Sequence, residues 1–211
     1  MKRQTIHIAI VLGLVSVMGF SGTAPDSNSL EKQSEREAEI VRLINILDMS
    51  SSEKKMKQVE LDKAIADITA MGDKVIEPMM DKIRQDNGLS FQHRTVRVLK
   101  AIGTPKAQEA LLDIALARGP IKGTGSRWAA VNYIESLQDK SDARKLLVSE
   151  RPDILSSSLL AMKGVTTDAE LLERLEELLE SKSWFLRLNT AMVMGADPGE
   201  AYAREKVSAI I

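Results

Sequence analysis

Apolar side chains recur along most of this chain at three- and four-residue intervals, the spacing that gathers them on one face of an α-helix. Ile40, Leu43, Ile44 and Leu47 form a first stripe and predict a helix near residues 31–47. Met56, Val59, Ala64, Ile65, Ile68 and Met71 form a second. It opens after Ser50 and Glu53, which have the spacing of a capping box. No segment alternates with period two, and no hairpin turn separates β-branched runs. The pattern predicts an all-α fold.

The helices come in pairs. Five segments share one plan: an apolar helix ending at a small residue, a short polar turn, then a second apolar helix. The closing residues are Gly72, Gly103, Ser136, Gly164 and Gly195, at intervals of 31, 33, 28 and 31 residues. Glycine enters the left-handed conformation that ends a helix at least steric cost. Helix starts follow. Thr104 and Pro105 supply a capping hydroxyl and a proline at the first helical position, and Thr167 with Glu170 has capping-box spacing. The second helices carry their own stripes: Val75, Ile76, Met79, Met80 and Ile83; Ala110, Leu111, Ile114 and Ala115; Leu171, Leu172, Leu175, Leu178 and Leu179. One such pair cannot bury its apolar faces alone, whereas stacked pairs can. The expected architecture is an α-solenoid of about five helix pairs behind an N-terminal capping helix.

Residues 72–83 resemble the second helix of bacterial HEAT-like repeats, the group that includes the phycobilin-lyase type. Residues 103–112 resemble the same element one unit later. Arg94, Arg127 and Arg187 stand near the place where that family often carries arginine. The resemblance covers about residues 53–211 and is a structural pattern of low functional specificity. It also admits an enzyme-accessory or chromophore-lyase-like role. The third unit departs from the pattern by ending in Ser136, and the fourth lacks the arginine.

The amino terminus has a different character. Lys2 and Arg3 precede an apolar run from Ile6 to Phe20, then small residues up to Ala24 and Pro25. That is the layout of a secretory signal peptide over residues 1–24, too short for a comfortable membrane span. Residues 25–34 read as a polar linker and 35–211 as the repeat domain. The expected location is therefore the periplasm or the exterior of a bacterial cell, with membrane attachment only if the first segment is retained. Removing residues 1–24 takes away Lys2 and Arg3 and no acidic residue, leaving 27 Lys+Arg against 30 Asp+Glu, a net of −3. Nucleic acid is a poor partner for such a chain. There is no cysteine, which excludes disulfides and thiolate metal sites, and there are only two histidines, His7 and His93. No catalytic, cofactor-binding or metal-binding set emerges, and the expected partner is a protein.

The strongest contact candidate is the acidic face of the fourth unit's second helix. Glu173, Glu176, Glu177 and Glu180 share the side opposite its leucines, and such a face is either solvated or a ridge for a basic partner. In solenoids resembling this one, second helices line the concave side. Residues 119–126 are glycine-rich, but their order lacks the phosphate-loop Lys-Ser/Thr after glycine and no strand precedes them. They read as a long connection between units. His93 reads as a surface or capping residue. Trp184, Phe185, Leu186 and Leu188 read as core filling, and Arg94, Arg127 and Arg187 as partners of acidic groups in adjacent units. The ten methionines suit a core with few aromatic rings. A last helix is expected to lean on its predecessor through Ala203, Val207 and Ile210.

Overall fold

The computed structural model describes residues 27–48, 58–85, 88–162 and 169–195. Among them there is no strand. The α-helices are α1 (Ser27–Asp48), α2 (Gln58–Ala70), α3 (Ile76–Gln85), α4 (Leu89–Ile102), α5 (Pro105–Ala115), α6 (Ser126–Ser136), α7 (Pro152–Ala161), α8 (Ala169–Leu179) and α9 (Trp184–Gly195). Three 3₁₀ segments, Gly72–Val75, Gly123–Gly125 and Lys140–Val148, complete the described elements. The signal-peptide segment 1–24, the capping boxes at 50–53 and 167–170, Gly164 and the last expected helix lie wholly or partly outside the described residues.

Helix α1 starts at Ser27, earlier than the sequence pattern indicates, so residues 27–34 of the expected linker are helical. Glu31, Lys32, Gln33 and Glu35 have good helix propensity, so their polarity removes burial and not helicity. Every residue from 31 to 38 is exposed, and burial begins with Leu43, Ile44 and Leu47. Gln33 with Glu37 (3.1 Å) and Arg42 with Glu39 (2.6 Å) brace the exposed side.

Two rows of packing follow. The first helices of successive units touch in the order α2, α4, α6, α7, α9. The second elements touch in the order α3, α5, Lys140–Val148, α8. Corresponding buried positions can be followed from helix to helix: Thr95, Val98 and Leu99; Ala129, Asn132 and Tyr133; Leu155, Ser158 and Leu159; Leu186, Asn189 and Thr190. The buried apolar residues form one continuous cluster from Leu43 to Met194.

Helix ends follow the expected chemistry in two units. Gly72 (φ +61°) and Gly103 (φ +66°) are left-handed, and the Gly103 N–H donates to Leu99 O at 3.1 Å. Thr104 accepts from the Ala107 N–H at 3.2 Å with Pro105 behind it. Gly195, by contrast, is still inside α9. The third unit replaces its second α-helix with nine residues of 3₁₀ helix, Lys140–Val148, capped by Asp139 on the Ser141 N–H at 2.9 Å. Its buried residues Ala143, Leu146 and Leu147 include a three-residue step, which matches three residues per turn.

Candidate protein-contact surfaces

Helix α8 is amphipathic in the way its sequence indicates. Leu171, Leu175, Leu178 and Leu179 are buried, while Glu173, Glu177 and Glu180 are exposed and Glu176 is half-buried. Arg174 Nη1 binds Glu177 at 2.5 Å, and its other guanidinium nitrogens lie 3.4 Å from Leu147 O, tying α8 to the preceding 3₁₀ segment. Glu170 is engaged by Arg144. Glu173, Glu176 and Glu180 have no ion pair among the described residues.

The other second helices differ. On α3, Arg84 Nη1 binds both Glu77 (2.7 Å) and Asp81 (2.9 Å), and the Glu77 bond helps hold the Arg84 pKa above its ordinary value. Beyond α5, Arg118 Nη1 binds Glu109 and Asp113, each at 2.8 Å. Burial works against the Arg118 charge, but those two bonds raise its pKa overall. Such exposed pairs add little stability, about 0–1 kcal/mol each. Their effect is on the local field: Arg84 and Arg118 neutralise acidic pairs on α3 and α5, whereas on α8 only Glu170 and Glu177 are paired, and Glu173, Glu176 and Glu180 have no ion pair among the described residues. The residue order does not announce the Arg118 clamp, because Ala117 (φ 48°) turns the chain back toward α5.

A second surface lies between α4 and α6, a groove of about 670 Å³ lined by Arg97, Lys100, Ala101, Trp128, Val131 and Glu135 among others. Trp128 is 46% exposed, and the His93 ring lies 5.9 Å from it at 47°. Lys100 with Glu135, and Arg97 with Asp62 at 3.7 Å, bridge neighbouring helices. His93 is exposed, as its sequence position indicates.

Other expectations change. Arg94 Nη1 donates to Leu47 O at 2.6 Å, and Arg187 Nη1 donates to Ser181 O at 2.8 Å. These arginines bond backbone carbonyls near helix ends, a contact that charge patterning alone does not reveal. The core-filling assignment at the start of α9 holds only for Leu186. Trp184 is 66% exposed, and Phe185, Leu188 and Met192 are also exposed. The inward face of α9 is instead Leu186, Asn189, Thr190, Val193 and Met194.

The glycine-rich connection packs as structure. A Cβ on Gly125 would stand 2.5 Å from Gln92 Oε1, and one on Gly123 would stand 2.6 Å from Ile154 Cδ1. Buried Gln92 accepts the Thr124 hydroxyl at 3.2 Å. Its glycines thus permit close approach of backbone to neighbours. Among the described residues, no three His, Asp or Glu side chains gather as a metal site would require, and no helix is long and apolar enough to cross a membrane. Comparison with protein-family models, with curated proteins and with solved structures finds no match.

Proposed function

We propose that this protein is an exported, non-catalytic scaffold: a HEAT-like α-solenoid whose second-helix row receives a basic segment of another protein in the periplasm or outside the cell. Support for the solenoid comes from the two packing rows, in which first helices touch first helices and second elements touch second elements. Support for export comes from the charged, apolar and small-residue layout of residues 1–24.

The observation that carries the docking reading is the uncompensated charge on α8. Arginines neutralise the acidic groups of α3 and α5, yet among the described residues Glu173, Glu176 and Glu180 have no ion pair. A partner's Lys or Arg side chains would find their most favourable field there, and the attraction would weaken with salt. The test is affinity capture from an envelope fraction with residues 25–211, comparing the natural sequence with E173K/E177K/E180K. The expected result is a salt-sensitive partner that the triple variant fails to retain. Equal capture by both would remove the acidic ridge as the docking face.

A further inference from the structure

The two ends of the second-element row carry opposite charge. At the first end, a groove of about 860 Å³ runs between α1 and α3 with its preceding 3₁₀ turn. Its apolar lining is Ile40 and Pro78, both half-buried, and Val41, which is 52% exposed. Lys32, Arg36 and Lys74 also line it, all three exposed, and none has an ion pair among the described residues. The one carboxylate in the lining, Glu37, accepts the Gln33 amide at 3.1 Å. Glu31 and Glu35 fall on the opposite side of α1, at about 100° of turn per residue. At the other end stands α8. Arg174 reaches back from it to Leu147 O, toward the preceding 3₁₀ segment. Glu173, Glu176 and Glu180 lie about 100–160° around the helix from Arg174, so they face away from that segment. Half-buried Leu172 sits one turn before Glu176 on the same side.

We propose that the groove between α1 and α3 is the docking site for α8 of a second copy of this protein, so that copies join head to tail. The charges match in number and spacing. Lys32 and Arg36 are one turn apart on α1, as Glu176 and Glu180 are on α8, about 6 Å along each axis. Lys74 and Glu173 add a third opposite pair, and Leu172 supplies an apolar side chain for Ile40, Val41 and Pro78. Helix α5 and Lys140–Val148 stand between α3 and α8 in the row, so the α8 that enters the groove belongs to another copy. Such a contact joins two different faces, so it leaves one of each free and repeats from copy to copy. The inference rests on the reading of α8 as a docking ridge and supplies its basic segment from the same protein.

Sedimentation velocity of the full chain tests this. At low salt the natural sequence should give a sedimentation coefficient that rises with concentration past that of two chains. In about 1 M salt, where charges are screened beyond about 3 Å, it should return to the monomer value. K32E/R36E/K74E and E173K/E176K/E180K should each stay monomeric, because each then carries like charge on both faces. An equimolar mixture of the two should associate again, since every reversed face meets its opposite, and that recovery also shows that both variants are folded. A natural sequence that stays monomeric would overturn the proposal, as would a species that stops at two chains. So would association that survives either reversal, or a mixture that fails to recover. The ridge reading is decided separately: a monomeric protein whose E173K/E177K/E180K variant loses a captured partner would end the self-docking and leave the ridge standing.

Discussion

Asn189 Nδ2 donates to Ser156 Oγ at 2.6 Å, across 33 residues and between α7 and α9. The two residues are 3% and 4% exposed, so water cannot replace either partner. Asn189→Ala would remove the bond and strand the serine hydroxyl, and Ser156→Ala would strand an amide donor. Each should cost about 1–3 kcal/mol, the penalty of an unmatched buried polar group. The double variant removes both groups together, so its cost should fall short of the sum by about 1 kcal/mol. Urea unfolding at 25 °C measures all four species. With a slope near 2 kcal/mol/M, a loss of 2 kcal/mol moves the midpoint down by about 1 M. Costs that add to within about 0.3 kcal/mol would show that the pair does not couple the two helices.

Four shorter predictions follow from the same geometry. Gly103→Ala should lose about 1–2 kcal/mol by urea unfolding through the left-handed backbone alone, since its Cβ would meet nothing closer than Lys100 O at 3.7 Å. Gly125→Ala should cost about 1–3 kcal/mol by displacing Gln92, and Q92A added to it should recover part of the lost thermal midpoint. Thr95 Oγ1 is buried without a hydrogen-bond partner, so Thr95→Val should raise stability by up to about 1 kcal/mol in the same assay. Tyr133 is pushed up to about 12, first by burial and then by the charges of Asp142 and Glu109. A phenol with its folded pKa above the unfolded value near 10 holds its proton more tightly when folded. Its stabilisation is complete below pH 10 and falls by about 2–3 kcal/mol as pH rises to 12. Tyr133→Phe should flatten that decline relative to the natural sequence in alkaline unfolding curves.

The pairing of helices was legible because glycine closures and apolar stripes repeat together, and Gly103 with Thr104 behaves as those residues dictate. The start of α1 was not, because an all-polar helix leaves no stripe to read. The spacing of Ala143, Leu146 and Leu147 fits both an α-helix and a 3₁₀ helix, so pattern alone could not separate them. Helix α9 is harder still: it carries two apolar faces, and the one that turns inward is the one that includes Asn189, bonded to Ser156. The acidic face of α8 was visible along the chain. Its contrast with α3 and α5 depends on where Arg84 and Arg118 end up in space.

The nine-residue 3₁₀ segment Lys140–Val148 has a consequence for how length is used. At about 2.0 Å per residue it reaches about 18 Å, slightly more than the eleven-residue helices α5 and α8 at 1.5 Å each. The shortest interval in the chain, the 28 residues between Ser136 and Gly164, is thus served by the most extended coil. Fewer residues still bridge the slot between their neighbours. Spacing along the string and spacing in space are separate quantities here, and a tighter or looser winding can reconcile them.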